Sequence, residues 1–420
     1  MKFISNIKHH TSSIVHHPLM SGGMIMVGGN MVANVINYIY HLLMGRILGP
    51  VDYGTLVSVY SVLYIVSIIP SSASISIVKF ISSAKNKEER NEIYKSINIF
   101  IVRLAGLLAV VVALLSPTIS KFLNISNNSI VLLVAPILFL SLVTLVNMST
   151  MQGVLKFTGV IVPSIISAAS KLVFGLVLIW LGYSVLGAIW AIVIGAAIAY
   201  LISRKMIVGE IDTRNSQGNY PLKSFYKYSL PVLIQALAFT SLFTVDVILV
   251  KHFLSPFDAG LYAALSTLGK IIFFASSPIA ATMFPIVSKR KANNQGYNKV
   301  FLTSLIVTLA VGIAITSFYW LFPSVAIGVL YGPAYLSAKS ALVWMGILIL
   351  FYSLSSLMVN FSLSLGESRA VYFPLIAAVL QAPLIWFFHG SILEVIQISL
   401  GLVAAMFIFL SFYLGYNHFK

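Results

Sequence analysis

Twelve apolar runs, each about 20 residues long and set apart by short polar connections, limit what this chain can become. A run of that length crosses about 30 Å of hydrocarbon as a helix rising about 1.5 Å per residue. No water bonds to the backbone inside hydrocarbon, so each run must satisfy its own N–H and C=O groups and is predicted to be helical. The first extends from Leu19 to Met44, the seventh from Ser229 to Leu254 and the twelfth from Ser391 to Gly415. Of 420 residues only 9% are charged and 59% are apolar, far from the roughly 25% charged of a soluble domain.

The longest connection, "KMIVGEIDTRNSQGNYPLKSFYK", is polar and lies at the centre of the chain. It divides the sequence into an N-terminal tail (1–18), six helices over 19–203, a linker (204–228) and six helices over 229–416. The tail lacks the apolar core and cleavage site of a secretory signal. Its histidines, His9, His10, His16 and His17, read as a solvated tail in preference to a metal site, and no metal or cofactor is expected. Cysteine is absent, which excludes disulfides and thiol redox chemistry. Fifteen Lys and Arg residues fall in one set of connections, among them Lys85, Arg204, Lys289, Arg290, Lys291 and Lys299, against four in the other: Arg46, Lys121, Lys251 and Lys339. Short cytoplasmic loops keep positive charge, so both termini are expected in the cytoplasm.

Two echoes relate the halves. "LGPVDYG" from Leu48 returns as "LSPFDAG" from Leu254, 206 positions later, and "VNMSTMQGVLK" from Val146 returns as "VNFSLSLGESR" from Val359. In the first echo Pro pre-sets a turn, Asp is expected to cap the helix that follows, and Gly lets that helix start tightly. Six helices per half return the chain to the same side, so the repeat is parallel. The expected fold class is an all-α integral membrane protein of about twelve transmembrane helices, in two six-helix lobes related by a pseudo-twofold axis along the membrane normal. Secondary transporters of that plan handle substrate between lobes near the midplane, by alternating access.

"GRILGPVDYG", Gly45 to Gly54, resembles the signature after the first helix in polysaccharide exporters and O-antigen-type oligosaccharide flippases of the multidrug/oligosaccharidyl-lipid/polysaccharide exporter superfamily. "DAGLYAA" from Asp258, "MFPIVSK" from Met283 and "LYGPAY" from Leu330 are similar to later segments of that family. The resemblance implies a flippase carrying an isoprenoid-pyrophosphate-linked oligosaccharide from the cytoplasmic to the outer leaflet, for cell-surface polysaccharide biosynthesis. It implies residence in the cytoplasmic (inner) membrane, work as a monomer among membrane lipids and polysaccharide assembly proteins, and no nucleic acid partner. The alternatives are a cation-coupled multidrug or small-molecule exporter of the same superfamily and a scaffold that moves nothing.

Ionisable groups inside apolar runs are costly unless hydrated or paired, so they carry the site expectations. Lys171 and Lys270 lie about 20 Å and about 15 Å into their helices, near the midplane, and are the candidate pyrophosphate ligands; Arg103, about 10 Å deep, is a third. Lys79 is near a helix end and snorkels. The matching carboxylate is Asp246, expected either to pair permanently with Lys270 or to lose it to a substrate phosphate. Asn30, Asn34, Asn37 and Tyr38, with His41, make the first helix polar without acidity, suited to neutral hydrogen bonds with sugar or to packing between helices. No nucleotide loop, metal carboxylate pair or Ser-His-Asp constellation is visible, so a transporter is expected and not an enzyme.

Overall fold

A computed structural model of the chain describes residues 18–214 and 216–418. All regular structure in these residues is helical. The histidines of the tail lie outside them.

The first helical run, Pro18–Val66, is interrupted at Gly49, whose φ of 73° and ψ of 175° no helix accommodates. The left-handed φ is one that only glycine adopts without strain. The break separates α1 (18–48) from α2 (50–66), which bends at Ser67 and continues as Ile68–Ser82. A proline at position 70 has no N–H to donate to the helical ladder there, which favours the bend. There follow α3 (Lys87–Phe122), α4 (Val134–Gly153), α5 (Thr158–Trp180), α6 (Ser184–Val208), α7 (Lys223–Phe253), α8 (Pro256–Ala292), α9 (Asn298–Leu321), α10 (Lys339–Ser364), α11 (Tyr372–Phe387) and α12 (Ile392–His418).

Among the described residues, ten helical segments, from α3 onward, are long and apolar enough to cross a membrane. Gly49 and the bend at Ser67 divide the helical run before them into shorter pieces. The protein is a multi-pass membrane protein.

The chain forms two compact units. One holds the chain up to His41 with Val66–Ser120 and Ser126–Leu233; the other holds Leu42–Ile65, Lys121–Ile125 and Ile234 onward. The units change over at Leu233/Ile234, and the segment around Gly49 clusters with the later helices. In the first unit α5 and α6 approach closely at Gly195, where a Cβ would stand 2.9 Å from the Ser167 carbonyl oxygen. Asn147 of α4, from the second echo, ties three helices together: it accepts from the Tyr94 hydroxyl of α3 at 2.8 Å and donates to the Ser203 hydroxyl of α6 at 3.1 Å.

The connection after α6 is strapped to the start of α3 within the same unit. The Glu92 carboxylate accepts the backbone N–H groups of Gln217 at 2.8 Å and Asn219 at 2.5 Å. Lys95 donates to the Ser216 carbonyl at 2.5 Å, and Lys156 pairs with Glu210. Outside the apolar spans, the Arg214 guanidinium beside Asp212 holds that carboxyl below its usual range.

Candidate functional site

In the first unit the site is built on Lys171 of α5. Its side chain is 9% exposed, its amine donates to the Asn37 side-chain oxygen of α1 at 2.5 Å, and it stands 4.5 Å over the Tyr40 ring. Tyr40 is itself fixed from α6, since its hydroxyl donates to the Ala188 carbonyl at 3.1 Å. Three helices thus orient one ammonium group. Sequence reasoning proposed Lys171 and Asn37 for separate tasks, phosphate and sugar, and the structure bonds them to each other. It did not single out Tyr40, although a residue three positions after Asn37 shares its helix face.

The other amides of α1 behave differently. Asn30 and Asn34 are exposed, and Tyr38 is half-buried. Amide groups facing hydrocarbon would lack hydrogen-bond partners, so exposed asparagines one turn apart within a span are suited to a hydrated surface. Arg103, the third candidate, is exposed on α3.

In the second unit Asp246 of α7 is 4% exposed and Lys270 of α8 is 9% exposed. The expected direct pair is not formed. Asp246 instead accepts a hydrogen bond from the Tyr262 hydroxyl at 2.5 Å and another from the Val247 N–H at 2.8 Å. Lys270 lies 4.4 Å over the Phe243 ring and attracts Asp246 only through the interior. The reason is geometric: Tyr262 is two turns nearer the start of α8 than Lys270, and its rigid ring carries the hydroxyl to the carboxylate. Lys251, 3% exposed, is the other buried cation and attracts Asp52.

The repeated turn is also resolved in the second unit. Ser255 caps α8, its hydroxyl accepting the Asp258 N–H at 3.1 Å and donating to the Asp258 carboxylate at 2.7 Å. The expectation that Asp itself is the cap is thereby corrected: Ser255 or, in the first copy, Gly49 occupies the cap position and Asp follows three residues on. The two copies touch. A Cβ at Gly54 would lie 2.7 Å from the Gly260 nitrogen, and one at Gly260 would overlap the Pro50 carbonyl. "LYGPAY" closes over the same place: the Tyr331 and Tyr53 hydroxyls share a hydrogen bond of 3.1 Å, Tyr335 donates to the Gly45 carbonyl at 2.7 Å, and Arg46 donates to the Val329 carbonyl at 3.1 Å.

Residues 19–291 match the family model described as "Polysaccharide biosynthesis protein". The chain belongs to that family. Among relatives of this chain is the Uncharacterized membrane protein MJ1375 of Methanocaldococcus jannaschii, 23% identical over 292 residues, which are 65% of this chain and 68% of that one. The fold of this chain is that of two solved structures. One is the Lipid II flippase MurJ in an inward closed conformation, with a TM-score of 0.76, 15% identity and coverage of 93% of this chain and 87% of that one. The other is a multidrug resistance MATE family transporter of the MOP superfamily in an inward-facing conformation, with a TM-score of 0.69, 14% identity and coverage of 91% and 94%. The chain therefore has the twelve-helix, two-lobe fold that its sequence predicts.

Proposed function

We propose that this polysaccharide biosynthesis protein is a flippase that moves an isoprenoid-pyrophosphate-linked oligosaccharide from the cytoplasmic to the outer leaflet by alternating access. The observation that carries the reading is the buried Lys171 ammonium, held by Asn37 and the Tyr40 ring on the same helix that exposes Asn30 and Asn34. An ammonium at that depth suits a phosphate, for which it is a compact charge with three donors. Neutral amides suit hydroxyl-rich sugar. On this reading both termini lie in the cytoplasm of a cell whose inner membrane holds the protein as a monomer.

A cation-coupled small-molecule exporter is supported less, because α1 offers amides and no carboxylate. The test is reconstitution of the purified protein with a defined isoprenoid-pyrophosphate glycan, followed by an impermeant glycosidase that reads outer-leaflet exposure. Wild-type protein is expected to expose the glycan without partners. Losing a charge-assisted hydrogen bond of about 1.5–3 kcal/mol, Lys171→Gln is expected to slow exposure at least tenfold for every glycan tried. Asn34→Ala is expected to change the ranking among glycans. Wild-type vesicles that expose no lipid-linked glycan refute the proposal.

A further inference from the structure

"MFPIVSK" takes no part in the turn cluster or in either lysine site. It lines instead a groove of about 650 Å³ between α8 and α9, walled by Pro278, Thr282, Ile286 and Val307 and headed by Arg290 and Lys299. The wall is mostly apolar in effect, because two of its three hydroxyls bond back to their own helices, Thr282 to the Pro278 carbonyl at 2.8 Å and Ser304 to the Val300 carbonyl at 2.9 Å, and Thr303 is the third. At the head, Arg290 spends one donor on the Gly296 carbonyl at 3.0 Å, which fixes the guanidinium and leaves its other N–H groups. Lys299 is exposed at the first turn of α9.

The groove has the dimensions of half a bilayer. From Lys299 to Val307 the chain rises about 12 Å, and from Arg290 back to Ile279 about 16 Å, close to half of a hydrocarbon core about 30 Å thick. Charge is one-sided as well: no Asp or Glu occurs between Asp258 and Glu367, while Lys289 and Lys291 flank Arg290. We infer that this groove binds one anionic glycerophospholipid of the adjacent leaflet, its phosphate between Arg290 and Lys299 and one acyl chain along Ile286 and Val307. Bidentate guanidinium contact suits the phosphate, and a basic recess between membrane helices suits an anionic head group. The site is distinct from the lysines assigned to transported lipid, and it would persist if the protein carried a different cargo.

Native mass spectrometry of the full chain, released from nanodiscs of phosphatidylcholine with phosphatidylglycerol as minor component, tests it. The wild type is expected to retain one phosphatidylglycerol with about tenfold preference over phosphatidylcholine, from two cations near the phosphate. Arg290→Gln with Lys299→Gln is expected to abolish the preference. Lys299→Gln alone, which breaks no hydrogen bond within the chain, keeps the test open if loss of Arg290 disturbs the 293–297 connection. Val307→Phe fills the groove without altering charge and is expected to remove the lipid too; Lys289→Gln, outside the groove, is expected to leave it. Retention unchanged in the double variant overturns the inference. So does equal loss in Lys289→Gln, which would indicate only a charged surface, and so does displacement of the bound species by millimolar glycerol phosphate, which would indicate a soluble anion.

Discussion

Replacing Gly260 by alanine tests the contact between the two copies of the repeated turn, because two physical arguments predict opposite signs. Gly260 lies in α8 with no positive φ, so its conformation is one that alanine adopts readily. On helix propensity alone Gly260→Ala should stabilise by about 0.8–1.0 kcal/mol. The packing says otherwise. The new Cβ would overlap the carbonyl of Pro50, and that obstacle is backbone, which cannot swing aside as the tip of a side chain can. Overpacking of this kind destabilises by about 1–3 kcal/mol and by more where backbone must move. Set against the propensity gain, the net loss is up to about 2 kcal/mol, and more where the backbone must move. Gly54→Ala should cost less, since its Cβ would stand 2.7 Å and 2.9 Å from the Gly260 nitrogen and Cα, a tight approach but not an overlap. Gly106 on α3 has no atom within 4 Å of its Cβ position and provides the control, where alanine should stabilise. The assay is the thermal midpoint of tryptophan fluorescence in detergent for the three variants. The expected order is Gly106→Ala at or above wild type, then Gly54→Ala, then Gly260→Ala lowest by a few degrees. A Gly260→Ala midpoint equal to that of Gly106→Ala refutes the close contact and the reading of the repeat as two turns packed on each other.

Ser255→Ala removes the cap of α8 and is expected to destabilise by about 1 kcal/mol, read as a lower thermal midpoint, with Ser255→Thr recovering most of it. Tyr262→Phe leaves the buried Asp246 carboxylate short of a charge-assisted donor and is expected to cost about 1.5–3 kcal/mol; adding Asp246→Asn should return much of the loss if the carboxylate is what suffers. Glu92→Gln weakens the strap on the connection after α6, so hydrogen exchange at the Gln217 and Asn219 amides should speed while amides within α3 and α6 keep their protection.

The helices were legible because hydrocarbon leaves the backbone one economical way to satisfy itself, and length with apolarity suffices to see it. Pairings were less legible. The depth of Lys171 followed from counting along α5, but its bond to Asn37, 134 positions earlier, depends on which way each helix is rotated and on Gly195 drawing α6 against α5. The same ignorance of rotation placed Lys270 beside Asp246 when Tyr262, eight residues nearer the turn, takes that position.

What the turn cluster adds is a reason why the resemblance reports fold more readily than cargo. Three of the four short segments that carried it converge: Gly45, Arg46, Tyr53 and Gly54 of the first, Gly260 and Tyr262 of the second, and Tyr331 and Tyr335 of the last are joined by close backbone approach or by hydrogen bonds to partners in the same unit. Their chemistry is that of packing: glycine where a Cβ would collide, tyrosine where a hydroxyl must reach a carbonyl across a helix, proline where a turn must be stiff. Such residues are fixed by one another and not by anything transported. On the proposed function the cargo is met elsewhere, by the Lys171 ammonium and by the exposed amides of Asn30 and Asn34, and none of these lies in a segment that carries the resemblance. On that proposal two chains with the same turns share a scaffold while differing in which sugar they accept, and the residues to exchange between them are those of the α1 face, not those of the turns.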